Sequence, residues 1–435
     1  MRRIVGFAWV LVGFAPATAG AQSNGLSTLL LRFFAPSNPI VLATTGHQAH
    51  FGSQPAAQEA LRQLNRGIAT QLSTFPLGSS SGGFTYTLDP ALGVFTRSSD
   101  SFGPLFAERA LTAGKGKLTF GVNYVRATYD TFEGNDLRKG DIRLFLTHQD
   151  TSGDGNHLDF WFEGDVIRAD AFLDISAQNT VFFANYGVSD RFDVGIGIPH
   201  VRAKIDARIH TTVDPLATQG DPTISHIFSD GSPEHDFVQR GSAEGIGDVV
   251  LRAKYNAVKG STWGLAAATD LRLPTGNETE MLGSGATQAK LYLIASGTGR
   301  FSPHANIGYT VSKGGSPATG DLPDEFNYTV GFDAALNRRL TVTGDLIGRT
   351  LRNTGRIQEE LQEWQYRRRN DPVLHTIALP ELVQVQGDLN TVLASVGVRV
   401  NPFGNLLISA NALFSTGDRG LQDHFTPVVA IDYSF

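Results

Sequence analysis

From Gly116 to the C-terminal Phe435, apolar residues recur at every second position, a period that dictates strands rather than helices. Trp263, Leu265, Ala267, Leu271 and Leu273 fall on one face, with Ala268, Asp270 and Arg272 on the other. Val249, Leu251, Ala253 and Tyr255 oppose Asp248, Arg252, Lys254 and Asn256 in the same way. Ala305, Ile307, Tyr309 and Val311 alternate with His304, Asn306, Gly308 and Thr310, and Phe326 to Asp333 repeat the pattern. A soluble sandwich alternates too, so the period alone does not say which face meets water. The order of the connections does. Short links at Ser189-Asp190, Lys259-Gly260, Asn337-Arg338 and Asn401-Pro402-Phe403 take turns with long ones at 211–244, 275–286, 314–324, 352–382 and 416–424. Short turns on one side and long loops on the other mark a membrane barrel, with turns periplasmic and loops extracellular.

The N-terminus agrees with export. Arg2 and Arg3, the apolar run from Ile4 to Ala15 and the small residues Ala19-Gly20-Ala21 have the layout of a signal peptide over 1–21. The mature chain then begins near Gln22. Losing Arg2 and Arg3 takes the formal charge from -6 to -8, which offers nothing to nucleic acid. There is no cysteine, hence no disulfide and no thiolate metal site. After the leader no stretch approaches the roughly 20 consecutive apolar residues of a membrane helix. The remaining way to span lipid is a closed barrel, in which every backbone group pairs between strands. The expected fold is therefore all-β, an antiparallel transmembrane β-barrel of about 12 strands with an even count because both termini are periplasmic. A hairpin over 141–163 would raise the count to about 14 if it reached the membrane. Val429, Ile431, Tyr433 and Phe435 give the last strand an apolar face and an aromatic end, which looks like the signal read by the outer-membrane assembly machinery. Tyr433, Phe435, Trp263 and Tyr255 are expected at the periplasmic rim, where amphipathic rings favour the interface.

Residues 22–115 follow a different pattern. Ala57, Ala60, Leu61, Leu64, Ile68 and Leu72 share one helical face between Pro55, which suits a first turn, and Pro76, which stops the helix. A second helix is expected over Leu26 to Phe34, and a small hairpin joins Gly83–Tyr86 to Gly93–Arg97 through Asp89-Pro90. The segment is expected to pack inside the barrel as a plug, with Leu61, Leu64, Ile68 and Leu72 offering a greasy binding surface. A periplasmic position is the alternative.

The barrel's inward face carries the candidate functional residues. These are Asp248, Arg252, Lys254, Asp270, Arg272, Lys290, Asp333, Asp345, Arg349, Asp388 and Arg399. A charge facing lipid would cost about 2–4 kcal/mol, so inward placement is expected on physical grounds alone. Opposite charges on neighbouring strands can hold a narrow lumen together, or can line a polar path. Asp150, Ser152, Asp154, Gly155 and Asn156 open like a calcium loop, yet Trp161 stands where the bidentate glutamate is needed, so the stretch reads as a turn. His226, Glu234, His235 and Asp236 are ligand types without ligand spacing and read as solvated loop residues. Residues 356–369 read as a helix within a loop, with Arg367, Arg368 and Arg369 facing lipopolysaccharide phosphates. No serine sits in a glycine-flanked elbow, and no catalytic group, metal or cofactor is expected.

Two segments carry a family resemblance. The first is Ala184-Asn-Tyr-Gly-Val-Ser-Asp-Arg-Phe-Asp-Val-Gly-Ile-Gly-Ile-Pro199. The second runs from Gly245-Ile-Gly-Asp248 through Lys254-Tyr255 to Leu271-Arg-Leu-Pro-Thr-Gly276 and Gly283-Ser-Gly285. Over about 116–435 the chain resembles the outer-membrane transporters labelled "MetA-pathway of phenol degradation". That family is similar to the long-chain fatty-acid and aromatic-hydrocarbon transporters, which carry an N-terminal plug. The resemblance implies passive uptake of a small hydrophobic or aromatic ligand through a gated barrel, with outer-membrane lipid and lipopolysaccharide as surroundings. It carries over no individual functional residue. A hydrolase with its site at the rim and a scaffold or adhesin presenting its loops are the alternatives.

Overall fold

A computed structural model gives the arrangement of residues 25–34, 40, 42, 51, 55–74, 78–79, 83–89, 94–150, 152–154, 156–220, 226–316 and 319–435. The expected leader over 1–21 and the expected breaks at Pro76 and Pro90 lie outside the described residues.

The period-two segments form a closed ring of 12 antiparallel strands. In chain order they are β1 (Leu118–Tyr129), β2 (Val166–Gly187), β3 (Phe192–Asp214), β4 (Val250–Lys259), β5 (Trp263–Arg272) and β6 (Ala286–Gly297). The second half comprises β7 (Phe301–Ser316), β8 (Glu325–Asn337), β9 (Leu340–Arg368), β10 (Asp371–Val400), β11 (Leu406–Ser415) and β12 (Thr426–Ser434). Closure comes from β12, which pairs with β1 from Val428 opposite Val125 to Ser434 opposite Thr119. The Phe435 amide adds a bond to the Leu118 carbonyl at 2.7 Å, so the last residue meets the first strand. With every barrel strand paired on both sides, the backbone needs no water.

Side-chain burial is inverted relative to a soluble sandwich. Large apolar residues such as Phe120, Phe182, Leu251, Leu265, Leu291, Leu293, Ile307, Val330, Val396 and Ile431 are exposed on the outer face. Buried within are Asn123, Asp193, Lys254, Gln288, His304, Asp333, Asp345, Arg399, Asn411 and Asp432. An apolar belt outside a polar lumen fits a bilayer. Leu291 lies midway along β6 and is 66% exposed. Leu291→Arg is expected to destabilise the inserted barrel by about 2–4 kcal/mol in urea titrations in lipid, and a change under half a kilocalorie would place Leu291 outside the belt.

On β2 and β3 the alternation keeps its phase but exchanges its chemistry. Near the short turn, β3 puts Val194, Ile196 and Ile198 outside; higher up, the outward positions are Arg202, Lys204, Asp206 and Arg208. Inside, Asp193 gives way to Val201, Ala203, Ile205, Ala207 and Ile209. The upper part is thus an ordinary water-soluble cap with an apolar core. Helix α1 (Pro55–Ser73) and two short 3-10 turns, Leu26–Thr28 and Leu30–Phe34, fill that core together with Ile142, Leu144, Ile167, Ile175 and Ile205.

The long connections contain more strand than expected. The stretch 356–369, expected to be helical, lies largely within β9, which pairs with β10 up to Arg368 opposite Asp371. Ile357, Leu361 and Trp364 do have helical spacing, but ladder partners such as Ile377 opposite Trp364 decide the conformation. Tertiary pairing here overrides a local pattern. Residues 142–147 pair with the upper end of β2, beyond where β1 leaves it, so the 141–163 connection stays above the belt and the ring keeps 12 strands. Residues 234–246 likewise pair with the upper half of β3 before the chain breaks at Gly247–Val249 and enters β4. Asp150 accepts the Ser152 and Gly153 amides, the geometry of the expected turn.

Candidate functional site

The lumen at membrane level holds the described residues of the chain's own 78–79, 83–89 and 94–115, and inward polar side chains receive them. At the short-turn end Phe84 and Phe102 pack on Leu407, and the Tyr86 hydroxyl meets Asn405 at 3.1 Å. Arg399 on β10 is the hub above them. Its guanidinium donates to the carbonyls of Phe102, Gly103 and Pro104 at 2.9, 3.2 and 2.9 Å, to Ser409 at 3.0 Å and to Asp432 at 2.6 Å. Arg109, fully buried, returns the contact from the segment's side by donating to the Ser101 and Gly83 carbonyls. These bonds answer the requirement that buried backbone groups without a ladder find side-chain partners.

A second layer centres on Glu108. Its carboxylate accepts from Arg252 and, at 3.2 Å, from Lys254. Its amide and carbonyl both bond the Asn306 side chain, at 2.8 and 2.9 Å. Ala110 donates to Ser296 and accepts from Asn256, and the Ala113 amide donates to Asp193 at 2.9 Å. The segment leaves the lumen where the Lys115 amide meets Asp190 in the turn between β2 and β3.

Most of the expected inward charges are where the alternation puts them. Arg252 forks onto Asp270 at 2.6 and 2.7 Å; Asp333 and Asp345 flank His304 at 3.4 and 2.6 Å; Arg349 reaches Glu325 and Thr74. Arg272 donates to the Ser73 carbonyl at 2.8 Å, and Lys290 lies 4.8 Å from the Tyr292 ring centre. Two expectations need correction. Asp388 is outside the lumen, paired with Arg352 at 3.1 Å, because it stands eleven residues from inward Arg399 on one unbroken strand and an odd separation changes face. Asp248 belongs to no strand: its carboxylate accepts the Gly276 amide and the amide and hydroxyl of Ser284, tying down the 273–285 connection.

The helical stripe also behaves differently from the expectation. Leu61, Leu64, Ile68 and Leu72 are buried in the cap core and offer no binding surface. An amphipathic helix turns its apolar face to whatever core exists, and the cap supplies one. The opposite face, with Gln63, Arg66, Thr70 and Gln71, borders an upper cavity of about 380 Å³. A second cavity of about 150 Å³ lies deeper, beneath the end of α1. Thr74, Phe106, Glu108, Tyr292 and Ile347 line it with the side chains of Arg252, Arg272, Lys290 and Arg349. His226, Glu234, His235 and Asp236 do not assemble: His226 bonds Asp165, His235 bonds Asp230, and Asp236 bonds His210. No local signal in the sequence marks Glu108 and Arg109, because they sit in a stretch without periodicity.

The fold defines a membrane β-barrel with an occupied lumen. The model of the family described as "Putative MetA-pathway of phenol degradation" matches residues 147–357, which bears out the resemblance read from 184–199 and 245–285. No curated protein matches the chain. Among solved structures, the chain is similar to the COG4313 outer membrane channel from Pseudomonas putida F1, at 10% identity and TM-score 0.45, over 76% of this chain and 100% of that one. A Pseudomonas aeruginosa FadL homologue is similar at 12% identity and TM-score 0.31, over 84% and 97%. The Ralstonia pickettii toluene transporter TbuX is similar at 14% identity and TM-score 0.27, over 84% and 99%.

Proposed function

We propose that the protein is an outer-membrane channel for passive uptake of small hydrophobic or aromatic compounds, and that residues 22–115 are its plug. The observation carrying this reading is the lumen itself: a closed barrel with an apolar belt, occupied by described parts of its own N-terminal segment yet keeping an upper and a deeper cavity. Short turns then face the periplasm and the cap faces outward, where its charged surface meets lipopolysaccharide. Phe435, exposed beside Phe120 and Tyr433, is the address for the barrel assembly machinery.

The test is uptake of naphthalene by whole cells of a host lacking aromatic transporters, with and without the protein in its outer membrane. Several-fold faster initial uptake is expected, because lipopolysaccharide slows hydrophobic solutes. Equal rates at equal expression would sink the reading.

A further inference from the structure

The deeper cavity has a composition that a purely hydrophobic passenger does not need. Arg252, Arg272, Lys290 and Arg349 face it, against the carboxylates of Glu108, Asp270 and Glu325. Those carboxylates are already committed. Glu108 and Asp270 hold Arg252, and Glu325 holds Arg349 at 2.7 Å. Arg272 and Lys290 remain, and among the described residues neither has a carboxylate within ion-pair distance. Strand pairing places Lys290 opposite Asp270 and Arg272 opposite Gln288, so the two cations are diagonal neighbours on one face of β5 and β6. Diagonal neighbours stand about 7–8 Å apart at the backbone, close enough for two long side chains to converge on one anion. Phe106, Tyr292 and Ile347 supply apolar and ring surface on the same cavity. Its volume, about 150 Å³, is that of a cavity that takes a single benzene ring.

We propose that this cavity is a binding site for a single-ring aromatic carboxylate, its anion held by Lys290 and Arg272 and its ring against Phe106 and Tyr292. The inference rests on the uptake reading and sharpens it: the passengers include aromatic acids, not neutral aromatics alone. A planar carboxylate suits the arginine fork, while the lysine adds a second charge-assisted donor.

Calorimetric titration of the full-length protein in detergent with sodium benzoate and with benzyl alcohol, at pH 7, tests the site. Benzoate is expected to bind at least about tenfold more tightly than the alcohol, the scale of one charge-assisted hydrogen bond. Lys290→Met is expected to erase that preference, and Lys290→Arg to keep most of it. Equal affinity for the two ligands, or wild-type benzoate binding by a folded K290M barrel, overturns the proposal. Failure of the uptake reading shows elsewhere, as absent naphthalene flux. Benzoate preference without flux leaves the site standing, whereas flux without benzoate preference removes the site and leaves the channel.

Discussion

Deleting residues 22–115 is expected to raise single-channel conductance by about tenfold or more, because a 12-stranded ring is wider than the eight-stranded barrels that side chains alone can fill. The segment occupies that surplus width. It bonds β10 through Arg399, β4 through Arg252 and Lys254, β6 through Ser296 and β7 through Asn306. Removing it leaves these groups facing water rather than buried without partners, so the ring itself is expected to persist. Planar-bilayer recordings of both forms, with circular dichroism to confirm strand content, give the answer. Unchanged conductance from a folded truncation would mean that the segment does not obstruct the path.

Arg399→Ala is expected to be among the most damaging single substitutions. It removes the donor to three segment carbonyls and leaves Asp432 buried and unpaired. Breaking a buried, hydrogen-bonded ion pair from one side costs about 3–5 kcal/mol. The measurement is urea unfolding of the refolded protein in lipid. Adding Asp432→Asn should restore part of the loss, since the orphaned charge is then gone, and the two effects should fail to add. A loss below about 1 kcal/mol for Arg399→Ala, a typical surface change, would mean that the 102–104 carbonyls are held by something else.

The barrel was legible because membrane strands obey one rule per face. The inward positions of Arg252, Asp270, Arg272 and Asp333 follow from parity, and those of Lys290, Asp345 and Arg399 from the cost of turning a charge to lipid. Asp388 takes the other face because its separation from Arg399 on the same strand is odd, which the charge argument does not register. What the sequence concealed were features set by pairing partners rather than by period. The 356–369 stretch has helical spacing and becomes strand because 371–385 lies beside it. Phe106, Glu108 and Arg109 lie in an irregular run whose conformation is imposed by the wall, so no local signal marks them. The apolar stripe of α1 was recognisable as a stripe, but its destination depended on a cap core built from residues far along the chain, such as Ile167 and Ile205.

The route of the N-terminal segment constrains the order of events during biogenesis. Its helix lies at the cap end, anchored through Ser73 and Thr74 to Arg272 and Arg349, while its exit at Lys115 lies at the opposite end beside the first strand. The two ends thus lie at opposite ends of a ring that has no edge once β12 meets β1. A segment joined to that ring at the bottom would have to pass 19 helix-forming residues upward through a closed lumen lined with polar partners. Placing the helix before the last strand zips avoids that passage, because the wall keeps an open edge until β12 meets β1. A wall wrapped around its contents spares the helix that passage, and a plug peptide supplied separately to a finished ring is expected to leave the lumen open.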